Sequence, residues 1–215
     1  MSAKIVTLDG PGGTGKSTVS RAVADRAGLP HLDTGAFYRA ATLAVIEAGV
    51  DPNDGPGVVD VVSGVTLDQE KGRMFLDGRD VSVQIRRDAV TAAVSAVSVH
   101  PGVRRRLVEL QRAWVRRHEG SAVVEGRDIG SVVFPEADLK IYLDASARVR
   151  AERRAEETGE EVDEVLADLN RRDRLDSTRD VSPMLVPDGA VLVDTTELGF
   201  EQVVNQILEL ILAKS

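Results

Sequence analysis

The sequence predicts an α/β chain. Three observations carry that prediction. An apolar run ends in a glycine-rich loop and passes into a helical pattern. A second strand and helix follow at once, and buried-type strands then alternate with helices to the C-terminus. One hairpin signal interrupts the alternation and marks an inserted piece.

The elements follow in order. Lys4–Asp9 is a short apolar run of strand character that stops at the glycine loop. Val19, Ala22, Val23 and Ala27 recur at helical spacing until Gly28. "PHLDTG" holds a short strand ending at Asp33. Ala36 to Ala48 reads as a helix, with Thr34 as candidate N-cap and Gly49 just past its end. From Asp51 to about Gly64 the chain is turn-rich and then mixed apolar. "VTLDQEKGRMFLDGRDVS" has the look of antiparallel strands, with Asp77-Gly78 as a tight hairpin turn between Met74-Phe75-Leu76 and Val81. This predicts an inserted subdomain at about 57–95. Helical periodicity returns through Val103, Leu107, Leu110 and Trp114. Ala122–Glu125 and Leu139–Leu143 read as buried strands, followed by helices near 146–157 and 161–174. Val191–Val193 is a last strand, and Phe200, Val203, Val204, Ile207, Leu208 and Ile211 form the stripe of a closing amphipathic helix.

Composition excludes several classes of function. The 215 residues suit one domain, or one with a small insertion. No apolar stretch is long enough for a membrane span, and the N-terminus lacks the pattern of a secretory signal, so a cytoplasmic protein is expected. With no cysteine and three scattered histidines (His31, His100, His118), neither disulfides nor a histidine metal cluster is expected. A net charge of −8 and 3% aromatic residues argue against nucleic-acid binding. Yet 22 of the 27 basic residues are arginine, and 15 of those lie between Arg104 and Arg179. GC-rich coding is one cause. The other is that the planar guanidinium grips phosphates in a bidentate way.

"LDGPGGTGKST" (Leu8 to Thr18) contains Gly10-x-x-x-x-Gly15-Lys16-Ser17, the full phosphate-loop pattern, with a strand before it and a helix after. Glycines let backbone N–H groups converge on phosphate oxygens, and the helix N-terminus adds its positive dipole end. Lys16 reaches the β- and γ-phosphates and the Ser17 hydroxyl ligates Mg²⁺ in such loops. The chain lacks an N-K-x-D guanine-reading motif. "KIYLD", ending at Asp144, reads as a core strand and not as a motor ATPase motif. A small-molecule kinase is therefore expected.

Three further clusters point to a second anion. "DTGAFYR" (Asp33 to Arg39) follows the second strand, where α/β sheets place ligands; an ordinary capped helix start is the plain alternative. Gly126-Arg127-Asp128 follows a buried strand, where the arginine and aspartate either pair with each other or face a ligand. "NRRDRLDSTRD" packs Arg171, Arg172, Arg174 and Arg179 among Asp173, Asp176 and Asp180, and its plain reading is a surface ladder of i, i+4 pairs.

With "RDVSVQIR", "VVEGRDIGSVVFP" and "KIYLDASARVRAERR", these motifs make nearly the whole chain resemble the bacterial cytidylate kinases, P-loop nucleoside monophosphate kinases. The resemblance implies a three-layer P-loop NTPase fold with a parallel central sheet. It also implies one domain over 1–215, with a core of 1–56 and 96–215, a β-rich monophosphate-binding insertion at about 57–95 and a short lid at about 153–164. It assigns Gly10, Pro11, Gly12, Gly13, Thr14, Gly15, Lys16, Ser17 and Thr18 to the ATP phosphates, and Arg153 to a lid that folds over the transferring group. Arg39, Arg127 and Arg179 hold the acceptor phosphate; Ser95, Arg104 and Asp128 read cytosine; Arg172 and Asp176 hold the sugar; Thr34 and Tyr38 line the pocket. Lys16, Arg153, Arg127 and Arg179 form the catalytic set.

Cytosine's N4 amine suits a carboxylate acceptor and its N3 and O2 suit donors, which fits Asp128 with Arg104 and Ser95. The implied reaction is Mg²⁺-dependent in-line transfer from ATP to CMP or dCMP by a monomer without nucleic-acid or membrane partners. Kinases for UMP, AMP or a coenzyme precursor, and a P-loop nucleotide switch, are the alternatives. Glu125 stands where an aspartate also occurs in the family, which leaves its part in the Mg²⁺ shell open.

Overall fold

The computed structural model describes residues 4–178 and 183–214. Its elements run β1 (Ile5–Asp9), α1 (Lys16–Ala27), β2 (His31–Asp33), α2 (Thr34–Glu47) and α3 (Gly55–Gly64). Next come β3 (Leu67–Glu70), β4 (Arg73–Leu76), β5 (Arg79–Asp80), α4 (Asp88–Ser98) and α5 (Pro101–Arg117). The rest are β6 (Ala122–Glu125), β7 (Leu139–Asp144), α6 (Ala147–Thr158), α7 (Val162–Thr178), β8 (Val191–Asp194) and α8 (Phe200–Ala213). The chain forms two compact units, Met1–His31 with Gly120–Ser215, and Leu32–Glu119.

The first unit is built on a sheet of order β2-β6-β1-β7-β8, in which the unit boundary falls just after the first residue of β2. β6, β1, β7 and β8 pair in parallel, with Leu8 level with Glu125 and Asp9 level with Tyr142. Parallel strands are buried on both faces, and β1 and β6 are buried along almost their whole length here, with Thr7, Asp9 and Glu125 as the polar exceptions. Val6, Leu8, Ile141 and Leu143 meet Val19 and Val23 of α1 and Val203, Val204, Ile207 and Ile211 of α8 in one core. Each such aliphatic side chain, once buried, contributes about 1.5–3 kcal/mol. A smaller cluster of Ala151, Ala155, Val165 and Leu169 joins α6 to α7.

The second unit sets α2 to α5 around a three-stranded antiparallel sheet of order β3-β4-β5. The hairpin turn expected at Asp77-Gly78 is present, with positive φ at both residues, 49° and 76°. That geometry matches the twist of the flanking strands. Lys71-Gly72 repeats it between β3 and β4. Trp114 on α5 donates its indole N–H to the Gln69 carbonyl at 2.7 Å, tying helix to sheet.

Two expectations change. The N-cap of α2 is Asp33, whose carboxylate accepts the Ala36 N–H at 3.0 Å; Thr34 is already the first helical residue and is buried. The stretch expected to be turn-rich and mixed apolar contains α3, capped by Asp54 with proline in its first turn.

Candidate active site

The phosphate loop takes its shape from contacts that only glycine permits. Gly10 has φ 140°, and a Cβ there would collide with the Leu143 carbonyl. Gly13 has φ 79°, and its Cβ would lie 2.9 Å from the Arg150 carbonyl. Gly15 occupies the N-cap of α1 in the left-handed region and brings no side chain to the first helical amides. Those amides are left for an anion, at the positive end of the helix dipole. The Thr14 hydroxyl donates to the Pro11 carbonyl at 3.2 Å.

Three consecutive carbonyls of this loop accept from three cations. Arg127 Nη1 reaches Gly10 O at 3.0 Å, Lys16 Nζ reaches Pro11 O at 2.5 Å, and Arg150 Nη1 reaches Gly12 O at 2.9 Å. Both arginines are paired with α7: Arg127 Nε with Asp176 at 3.0 Å, and Arg150 Nη1 with Asp173 at 2.6 Å. Burial, together with the charge of Arg127, pushes the Lys16 ammonium well below its ordinary range; Glu125, Asp9 and Asp173 pull the other way. A positive site compressed in this way favours a polyanion.

Carboxylates line the ends of the strands. Asp9 is buried and accepts the N–H groups of Ile129 and Gly130, both at 2.7 Å. Burial raises its carboxyl to about 6, against the lowering effect of those two bonds. Glu125 is buried at the end of β6, with His31 Nε2 3.4 Å from Oε1, and His31 also meets Ser20 Oγ at 2.9 Å. Burial alone raises the Glu125 carboxyl, but bonds to His31 and Ser17 and the charge of Lys16 outweigh it, so the group sits below its ordinary value.

The acceptor residues implied by the resemblance are divided between the units. In the first, Arg127 pairs with Asp176, and its neighbour Asp128 is buried beside Asp9. Arg172 stands 3.9 Å from Asp168, and burial, then the charge of Arg127, lowers its guanidinium. Arg172 thus feels the charges of both Asp168 and Asp176, and Asp176 also holds Arg127. Arg153 donates to the Thr195 hydroxyl at 3.0 Å and to its carbonyl at 2.7 Å. Arg179 lies outside the described residues.

In the second unit, Arg39 donates to the Ile85 carbonyl at 3.2 Å and the Thr91 hydroxyl at 2.9 Å. The Arg104 guanidinium stacks 5.4 Å above the Tyr38 ring and donates to the Ser98 carbonyl, and Ser95 lies half-buried on α4. The stack holds one rigid aromatic face and one cation together, an arrangement that suits a base or an anion.

Sequence reasoning missed Asp9 and Arg150. Asp9 looked like the last residue of a strand. Arg150 had a faint signal, since it borders the apolar pair Ala151 and Ala155 on α6. Ser17 and Glu125 offer hard oxygen donors side by side, which suits Mg²⁺. Among the described residues no group of three or more His, Asp or Glu forms a metal cluster.

Compared with known proteins, residues 6–213 match the family model described as cytidylate kinase. A cytidylate kinase of Rhodococcus opacus (strain B4) is 51% identical over 223 residues, covering 100% of this chain and 97% of that protein. One of Mycobacterium leprae (strain Br4923) is 48% identical over 216 residues, covering 98% and 96%. Among solved structures, TT1252 from Thermus thermophilus aligns over 100% of this chain and 98% of its own at TM-score 0.52 and 21% identity, a likeness of fold.

Proposed function

The chain belongs to the cytidylate kinase family, whose activity is phosphoryl transfer from ATP to CMP, and we propose which of its residues carry that activity. The observation that carries the reading is the phosphate loop at the uncapped start of α1, with buried Lys16 inside it. The ATP phosphates would lie on the amides of residues 10–18 and on Lys16 Nζ.

CMP would be held by the acceptor residues. Arg39 and Arg127 would take its phosphate together with Arg179; Asp128, Arg104 and Ser95 its cytosine; Arg172 and Asp176 its sugar; Thr34 and Tyr38 its flank. The nucleophile is a phosphate oxygen of CMP that is already ionised at neutral pH, so no general base is required. The residues' work is positioning and charge neutralisation. Arg127 must exchange Asp176 for a ligand phosphate, and Arg153 must leave Thr195 to act as the lid arginine. Ser17, with Glu125 behind it, would hold Mg²⁺, which when bound neutralises and orients the ATP phosphates. We also propose a cytoplasmic monomer without nucleic-acid or membrane partners, a reading supported by the net charge of −8. No helix among the described residues is long and apolar enough to cross a membrane.

Base reading is tested with Asp128→Ala. A neutral methyl leaves cytosine N4 unpaired in a buried site, and the KM for CMP should rise on the order of a hundredfold while the KM for ATP stays within about threefold. Equal losses for both substrates would remove Asp128 from the acceptor site.

A further inference from the structure

Arg150 stands outside the residues just assigned. It lies in the first turn of α6, and its side chain is 7% exposed. Its guanidinium makes three bonds: Nε to the Ala145 carbonyl at 3.2 Å, and Nη1 to Gly12 O at 2.9 Å and to Asp173 Oδ2 at 2.6 Å. The bond to Gly12 completes the row of three carbonyls on three cations. Of those cations, Lys16 and Arg127 have phosphates to bind. Arg150 is assigned no phosphate, and its one bond into the site is to the loop.

The direction of that bond has a consequence for the peptide. A trans peptide is planar, so its carbonyl and the following N–H point to opposite sides. Pinning Gly12 O to one side commits the Gly13 N–H to the other. Contact at Gly13 keeps the partners together, since a Cβ there would stand 3.0 Å from Arg150 Cβ. A cation this buried needs a counter-charge, and Asp173 supplies it from α7, three residues before the aspartate that holds Arg127.

We infer that Arg150 is a positioning residue of the nucleotide site: with Asp173 as counter-ion it pins the Gly12 carbonyl and thereby aims the Gly13 N–H at the donor phosphates. The inference rests on the reading of the loop as the ATP site. It differs from a lid arginine that touches the transferring group, because the Gly12–Gly13 peptide serves ADP as much as ATP.

ADP and ATP affinities, measured by titration calorimetry, separate the cases. The proteins are the wild type, Arg150→Met, Arg150→Lys, Asp173→Asn and the double variant Arg150→Met/Asp173→Asn, with exposed Arg148→Ala as control. Arg150→Met and Asp173→Asn should each weaken ADP and ATP by the same factor, about tenfold, the size of one charge-assisted hydrogen bond. The KM for CMP should stay within about twofold, as should ADP affinity in Arg148→Ala. In the double variant, Tm should recover above that of Arg150→Met, because no buried charge is left unpaired, while ADP affinity stays weak. Recovery of both together would reduce the pair to a purely structural one. Unchanged ADP affinity in Arg150→Met, or ATP weakened with ADP untouched, overturns the inference. Should Arg150→Met not fold, Arg150→Lys decides: it keeps the charge but loses the fork, and unchanged ADP affinity there counts against positioning. A wild type that fails to bind ADP would instead overturn the reading of the loop.

Discussion

Lys16 sits where burial disfavours its charge, and this is why its loss should be felt first in the chemistry. Folding does not need that ammonium; a polyphosphate does. Lys16→Ala is expected to keep its Tm within a few degrees and to lose on the order of a thousandfold in kcat, the effect of one preorganised charge on a developing anion. Near-normal turnover would remove the loop from the reaction. Asp9 shows the opposite economy, a carboxylate that is retained despite burial because it accepts two backbone N–H groups. Its carboxyl is raised from 3.8 to about 6, so the stability it contributes is full below about 4 and is lost as pH rises through about 6. In thermal melts, wild type should therefore lead Asp9→Asn by more at pH 4.5 than at pH 7.5. A lead independent of pH would contradict the buried titration. Glu125 behaves the other way: held below its ordinary value, it contributes stability above about 4.5 that is lost as pH falls.

At the scale of elements, spacing predicted what packing uses. Val203, Val204, Ile207 and Ile211 were legible as one stripe because α8 is buried on one side only. Ile207→Ala should cost about 2–5 kcal/mol in urea unfolding, as a cavity in a parallel-sheet core. A loss under 1 kcal/mol would mean that the stripe is not the face that closes the core. α3 and α4 were not legible, for physical reasons. Gly55-Pro56-Gly57 has the composition of a turn, and only the cap by Asp54 with proline in the first turn makes it a helix start. α4, "DAVTAAVSAVS", buries only Val90 and Val97, too little for a clear stripe. Capping was misplaced by one residue at α2 because Asp33 and Thr34 are both good caps by type. The tertiary pull on Asp33, whose N–H donates to Gln69, decided between them.

For the whole molecule, the donor loop can be read locally, because the nine residues from Gly10 to Thr18 stand together in sequence. The acceptor set rests on resemblance, since its residues are scattered in sequence from Thr34 to Arg179. What neither route showed is how the arginines are held, because a sequence does not say which aspartate meets which guanidinium. Arg127 was read beside Asp128 and is held by Asp176; Arg172 was read with Asp176 and feels Asp168 as well. In this arrangement α7 supplies the anions that hold Arg127 and Arg150. The central claim is that the phosphoryl group goes to a cytidine monophosphate. ADP release, coupled to an optical readout, across CMP, dCMP, UMP, AMP and GMP tests it most directly. The account predicts kcat/KM highest for CMP or dCMP, by at least a hundredfold over AMP and GMP, on the order of what unpaired buried polar groups impose. ADP release independent of any acceptor, or a preference for AMP or GMP, would contradict it.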